Sequence, residues 1–427
     1  MTSFPVYMLG KNEDGRRLDK SMEDSMSIKN KGGLETILSE RALQIGATFS
    51  TTQTSVPTEG LITMSGGTPD FPTPPHVVDA GCKAIRDGHT RYTKWPGIEP
   101  LRAAIAKKML EENDLDVDPG SEVLVTAGSQ GAMLTVMMSV VEEGDEMIIP
   151  APFYGEYQRD LIMAEGTLVP VKTRVENSFE VDPDDVEAAI TPQTKGIILV
   201  TPSNPTGGII RRPVLERIAE IAQAHDLLVI SDELYERFIY DDFEHVSIAS
   251  FPGMWERTIT LNSFSKCYGM TGWRVGYIVA AKALIDAMLP IHHNISICAP
   301  SVSQWAALAA LEGPHDWFKE VLKEYDRRRH IWMEALDEMG IRYGYPQGAY
   351  YILLDVSSTG LGSSEFANLM REEARVVIGG GGGVTNPFNE GYNRGSLVTP
   401  TNDLIEGLNR MKPVVARLKA GLDVRDA

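Results

Sequence analysis

An α/β fold, with a large domain on a mostly parallel, helix-covered sheet and a smaller α+β domain, is predicted by three features of this sequence. Short runs of valine, isoleucine and leucine alternate with amphipathic stretches from about residue 67 to residue 312. These runs are continuously apolar rather than alternating, the pattern of strands buried on both faces of a parallel sheet. The chain has 427 residues, more than one compact core accommodates, so more than one domain is expected.

Taken in order, residues 1–33 are polar and broken by glycine, and are expected to form a flexible arm. ETILSERALQIGA then reads as a helix, and residues 34–66 are assigned with 313–427 to the small domain. The large domain, 67–312, follows as an alternation. LRAAIAKKMLEEN is helical, EVLVTA a strand, QGAMLTVMMSVVEE a helix and EMIIPA a strand. YGEYQRDLIMAEG reads as a helix, TLVPVK as a strand, DPDDVEAAI as a capped helix and KGIILVT as a buried strand. PVLERIAEIAQAH is a further helix, and LLVIS, TITLNS and VGYIVA are short strands. Past 313 the texture changes: HDWFKEVLKEYDRRRHIWMEALDEMG is one long charged helix stopped by Gly340. AYYILLDV is a strand, SSEFANLMREEA a helix and DLIEGLNRMKPVVARL the closing helix. Between them VVIGGGGGVTNPFNEG carries the glycines 379–383, expected to form a flexible loop because glycine loses the most entropy on ordering.

Composition removes several classes of function. Lys and Arg number 40 against 59 Asp and Glu, a net charge of −19, which argues against a nucleic-acid partner. Cys82, Cys267 and Cys298 are widely spaced, and the histidines form no ligand motif, so neither a metal nor a disulfide framework is expected. There is no apolar run of membrane-spanning length, and no apolar segment behind a basic start at the N-terminus. A cytoplasmic protein with no membrane partner is the expectation.

The chemistry gathers in the loops that follow strands, where α/β proteins bind their ligands. After EVLVTA, the turn AGSQGAM opens a helix whose first N–H groups, with Ser129, can hold a phosphate. After EMIIPA comes PFYGEY, whose aromatics can stack on a flat ligand. After KGIILVT comes PSNPTGG, in which Asn204 precedes a proline and can offer its amide to a ligand oxygen. Asp232 ends the strand LLVIS and needs a cationic partner, a ligand nitrogen or an arginine. After TITLNS comes SFSKCYGMTGWRVGY, where a desolvated Lys266 near Arg274 would have a lowered pKa and act as an amine nucleophile. Each feature alone has a plain structural explanation: a tight turn, a packed ring, an Asx turn, a paired acid, a solvated lysine. Together they match the phosphate, ring face, phenolic oxygen, ring nitrogen and aldehyde of pyridoxal 5'-phosphate.

GGTPDFPTPP, YTKWPGIEPLR, SNPTGG, SDELYERFIY and SFSKCYGMTGWRVGY resemble the class I and II aminotransferases, over about residues 35–420. The resemblance implies the fold of the pyridoxal-phosphate-dependent transferases of fold type I, and a homodimer with shared active sites. It makes Lys266 the Schiff-base lysine and proton shuttle, Asp232 the partner of the ring nitrogen, and Asn204 and Tyr235 the partners of the phenolic oxygen. Tyr154 would stack on the ring. Ser129, Ser263 and Arg274 would bind the phosphate in a loop shaped by Gly128 and Gln130, with Tyr92 reaching the phosphate of the neighbouring subunit. Arg394 would grip the substrate α-carboxylate beside Asn204 and Gly67. The sequence departs from the family where IGGGGGVTNPFNEG replaces a Pro-Gly turn, and where Gly395 follows Arg394.

The implied reaction moves the amino group of an α-amino acid to a 2-oxo acid. The alternative is a β- or γ-eliminating or cyclopropane-forming lyase on the same fold, told apart by whether the product needs an amino acceptor.

Overall fold

The computed structural model describes residues 38–48, 59–380 and 387–421. The arm expected over 1–33 and the glycines 381–383 lie outside these residues. The chain divides into two compact units, Met1–Thr52 and Gln53–Ala427. In the first, the helix expected from ETILSERALQIGA is seen over Glu40–Thr48. The described strands all belong to the second unit.

Its strands are β1 (Ile62–Thr63), β2 (Val123–Thr126), β3 (Glu146–Ala151), β4 (Thr167–Lys172), β5 (Thr194–Val200), β6 (Leu228–Asp232) and β7 (Thr258–Ser263). They continue as β8 (Gly276–Ala280), β9 (Arg342–Tyr343), β10 (Tyr351–Asp355), β11 (Val376–Val377), β12 (Gly379–Gly380) and β13 (Tyr392–Ser396). A seven-stranded sheet has the order β2-β8-β7-β6-β5-β3-β4. Its pairings from β7 through β6, β5 and β3 to β4 are parallel, and β8 runs antiparallel to both β2 and β7. Residues after the seven-stranded sheet form a four-stranded antiparallel sheet, β12-β13-β10-β9, and β11 pairs in parallel with β1 from before it.

The continuous apolar runs have the expected cause. In β5, Ile197 and Leu199 join one core with Val229, while Ile198 and Val200 join another with Ile230. Alternate residues point to opposite faces, and both faces are covered by helices, so neither can be polar. Each such aliphatic side chain contributes about 1.5–3 kcal/mol on burial. The covering helix Arg212–Ala224 buries Leu215, Ile218, Ala219 and Ala222, the spacing of a single helical stripe. The long helix Asp316–Met339 stops where Gly340 turns left-handed at φ 61°, its N–H bonding back to the carbonyls of Asp337 and Leu336.

The helices Lys282–Ser296 and Ser301–Glu312 were not assigned from the sequence pattern. The second buries Ser303, Gln304, Ala306, Ala307 and Ala310, small or polar residues that leave little hydrophobic contrast to read. Gly379 and Gly380, expected in a flexible loop, instead pair with Arg394 and Asn393. A Cβ on Gly379 would stand 3.4 Å from the Arg394 Cβ, ordinary contact distance, so this short strand packs directly beside the arginine.

Candidate active site

Asp232 closes β6, Ser263 closes β7, and the next turn carries Lys266. The Ser263 hydroxyl accepts the Ser265 N–H at 3.1 Å and donates to the Val275 carbonyl at 3.2 Å, capping the short helix Phe264–Cys267. The Ser263 side chain thereby fixes the turn that presents Lys266. Lys266 Nζ donates to the Gly67 carbonyl at 2.7 Å, and that oxygen also accepts from the Tyr350 hydroxyl at 2.9 Å. Burial, aided by the charges of Arg394 and Arg274, holds the Lys266 ammonium below the usual lysine range.

The Asp232 carboxylate is 7% exposed and accepts from the Tyr157 hydroxyl at 2.7 Å and the Leu234 N–H at 3.2 Å. Burial pushes it up to about 6 against these donors and the Lys266 charge. Among the described residues no cation pairs directly with it. Arg394, on β13, donates to Asn204 Oδ1 and to the Ser65 carbonyl, each at 2.9 Å, and lies 4.5 Å from the Tyr351 ring centre. The guanidinium is thereby pinned on one side. Because the Asn204 amide oxygen is spent on the arginine, its Nδ2 is the group left for a ligand. Tyr235 and Tyr351 meet hydroxyl to hydroxyl at 3.2 Å.

At the far end of this cluster Gly128 opens the helix Gly128–Val140 at φ 79°. A Cβ there would lie 2.5 Å from Arg274 Nη2, so only glycine lets the guanidinium rest against the helix start. Arg274 is itself left-handed at φ 53° and donates to the Thr271 carbonyl at 3.0 Å. Ser129 is in the first turn of that helix, where free N–H groups and a cation favour an anion. Gln130 turns to Asp160, reaching its carboxylate oxygens at 2.9 and 3.0 Å. Tyr154 is 41% exposed and packs edge-on against Tyr157.

The structure therefore brings Lys266, Gly67, Asp232, Asn204, Arg394 and Tyr235 into one connected cluster, and Gly128, Ser129 and Arg274 into a second group beside it. Tyr92 is 78% exposed and is not among the side chains that meet here among the described residues. Four participants were not identified in the sequence: Ser65, Tyr157, Tyr350 and Tyr351. The helix expected from Tyr154 begins at Glu156, and Tyr157 follows Tyr154 by three residues, its N–H bonding back to the Tyr154 carbonyl at 3.3 Å, a turn spacing that was a usable signal. The two tyrosines of AYYILLDV were absorbed into a strand pattern, which is silent about hydroxyls.

Known proteins place this geometry in context. Residues 59–404 match the family model for aminotransferases of class I and II. Aromatic-amino-acid aminotransferase 2 of Thermococcus litoralis is 39% identical over 363 residues, covering 84% of this chain and 93% of its own. An aspartate aminotransferase of Pyrococcus abyssi is 40% identical over 361 residues, covering 84% and 92%. The crystal structure of an aromatic aminotransferase from Pyrococcus horikoshii superposes with a TM-score of 0.82 at 39% identity, over 84% of this chain and 96% of that one.

Proposed function

Because the chain belongs to the class I and II aminotransferases, a pyridoxal-phosphate-dependent family, we propose that it exchanges amino groups at Lys266, between an α-amino acid and a 2-oxo acid. The observation that carries this reading is the state of Lys266. Its amine is partly buried, donates to a neutral carbonyl, and has no carboxylate within ion-pair distance among the described residues.

The residues present fit pyridoxal 5'-phosphate. The cradle that a Cβ on Gly128 would fill, with Arg274 against it, suits the phosphate. The buried acid Asp232 suits the ring nitrogen, Tyr154 the ring face, and Asn204 Nδ2 with Tyr235 the phenolic oxygen. Lys266 is the amine that would hold the aldehyde. When bound, the cofactor supplies an electron sink for the pair left as the substrate α-proton departs.

What the chain's own residues do follows from their surroundings. Asp232 keeps a proton at the ring nitrogen, since its buried charge is best satisfied by a cation. Lys266, with its ammonium destabilised by burial, takes a proton at Nζ and returns it. Arg394, held by Asn204 and Ser65, offers its fork to the substrate α-carboxylate. Ser129 and Ser263 set the phosphate loop and the lysine turn, and Gln130 braces the former against Asp160.

The same proposal includes a homodimer in which the exposed Tyr92 reaches the phosphate of the neighbouring subunit. It also includes a large domain over 67–312, and a small one over 34–66 and 313–427, supported by the pairing of β1 with β11. A cytoplasmic location belongs to it too; no helix among the described residues is long and apolar enough to cross a membrane. Relatives named for aspartate and for aromatic amino acids make these the first donors to try.

The test mixes holoenzyme with a panel of α-amino acids and follows the visible band of the lysine-linked cofactor. The band should vanish with a true donor and return when a 2-oxo acid is added. A band indifferent to every amino acid would remove the proposal.

A further inference from the structure

One side chain ties the segment that carries Arg394 to the loop that carries Tyr154. Asn389 lies at the end of the short turn Pro387–Asn389, just before β13, and is 8% exposed. Its Oδ1 accepts the Phe153 N–H at 3.3 Å, and its Nδ2 donates to the Phe153 carbonyl at 3.2 Å. Both backbone polar groups of Phe153 are thus met by one amide from 236 positions further along the chain. Only an amide side chain offers a donor and an acceptor side by side in one plane, as a neighbouring strand would.

The contact is supported on both sides. Phe388 packs its ring 6.0 Å from that of Phe153, which is itself 2% exposed. The Asn389 carbonyl accepts from the Ser363 hydroxyl at 3.3 Å, and the Ser363 N–H donates to Glu390 at 2.9 Å. The turn is therefore fastened to the helix Ser363–Leu369 before it reaches across to Phe153. Phe153 precedes Tyr154 directly, and Arg394 follows Asn389 by five residues along a strand held at both edges by β10 and β12. Two of the bonds that hold the Phe153 backbone thus come from this one amide, and a side chain lacking it would give up both.

We propose that Asn389 is a positioning residue: it fixes Tyr154 through the Phe153 backbone and couples that ring to Arg394. Seating of the substrate carboxylate and contact with the cofactor ring face are then linked through one amide. This inference rests on the roles proposed above for Tyr154 and Arg394.

The test uses the holoenzyme and the variants N389D, N389A, Y154A and Y154A/N389A. N389D is nearly isosteric, keeps the acceptor and loses the donor, so it remains informative if N389A does not fold. Cofactor release by dilution, visible circular dichroism of the bound cofactor, and KM and kcat for the amino donor are measured. N389D and N389A are expected to release cofactor and raise donor KM by about tenfold, the scale of one lost hydrogen bond, with a smaller change in kcat. The dichroic band should change in sign or size, and the double variant should be no worse than Y154A. Wild-type cofactor release and KM in N389D, or losses in the double variant that multiply, would overturn the coupling. A Y154A enzyme indistinguishable from wild type would instead overturn the role of Tyr154, and this inference with it.

Discussion

Lys108 and Lys266 are both withdrawn from solvent, and they are satisfied in opposite ways. Lys108 is 6% exposed, pairs with Glu236 and donates to Asn113 Oδ1 at 2.7 Å. Burial alone would raise the Glu236 carboxyl, yet the charges of Lys108 and His245 outweigh it and hold it at about 2. Glu233, Glu236 and His245 come close enough to suggest a metal, but the Lys108 ammonium already supplies a cation to Glu236. Around Lys266 no such pairing occurs among the described residues: its amine rests on the Gly67 carbonyl, and the buried acid of the site, Asp232, is pushed up to about 6. A buried lysine matched to a carboxylate is scaffold, because neither partner can change charge without stranding the other. One left on a carbonyl, beside an acid that lacks a cation, is ready for a ligand that brings the missing charges.

The largest effect should come from exchanging the two lysines' fates. Lys266→Ala is expected to remove turnover by several orders of magnitude, as loss of an activated nucleophile does, while the unfolding midpoint of the cofactor-free protein changes little. Lys108→Ala should do the reverse. Stranding Glu236 costs about 3–5 kcal/mol, read by denaturant unfolding, while molecules that do fold keep their turnover. A Lys108 variant that is stable but inactive would erase the distinction.

Asp232→Ala comes next. With the buried charge gone, single-turnover proton removal should slow by roughly 10²–10³-fold, the range found for one preorganised electrostatic group. Stopped-flow with a deuterated donor separates this from slower binding. Near-native single turnover would mean that Asp232, like Glu236, serves the scaffold.

A smaller and opposite signature is expected in the stability of the cofactor-free protein. Folded Asp232 titrates at about 6 against a reference of 3.8, so the folded chain holds the extra proton between these values. Stability contributed by this residue should therefore fall as pH rises through that window, by roughly 3 kcal/mol. Glu236, held at about 2 against 4.5, contributes stability that is complete above pH 4.5 and is lost as pH falls toward 2. The difference in unfolding free energy between wild type and Asp232→Asn, measured from pH 4 to pH 7, isolates the first trend. A flat difference would place the Asp232 carboxyl in an environment as compensated as that of Glu236.

The same contrast explains what the sequence could show. Asp232, Asn204 and Lys266 were legible because each stands at the end of a buried apolar strand or just beyond it, where a polar group is expensive without a purpose. The sheet was legible because β5, β6 and β7 are buried on both faces. The direction of β8 was not, since antiparallel and parallel strands between two covered faces share one apolar pattern. Nor were the bonds that complete the site. Tyr157 on Asp232, Tyr350 on Gly67 and Asn389 on Phe153 join residues 75, 283 and 236 positions apart. No local pattern encodes such pairings. Lys108 was hidden for a similar reason: in LRAAIAKKMLEEN it reads as one more charge on a helix, and only the arrival of Glu236 makes it a buried cation.

The smallest effect, and the finest probe of the contrast, concerns Tyr157. Its hydroxyl donates to Asp232 at 2.7 Å, leaving the Leu234 N–H at 3.2 Å as the other donor to this carboxylate among the described residues. Both are neutral dipoles, whereas Glu236 is held by a full cation. Tyr157→Phe keeps the ring and its packing and removes one donor. The Asp232 carboxyl should then rise further, because burial is opposed by less. The acid limb of the kcat profile should shift to higher pH, and kcat at its plateau should drop by about tenfold, the scale of one hydrogen bond to a charged group. Donor KM should hold nearly constant, since Arg394 and Asn204 are untouched. An unmoved acid limb would show that something other than these two dipoles sets the charge of Asp232. The acid beside Lys266 would then be as firmly held as the one beside Lys108.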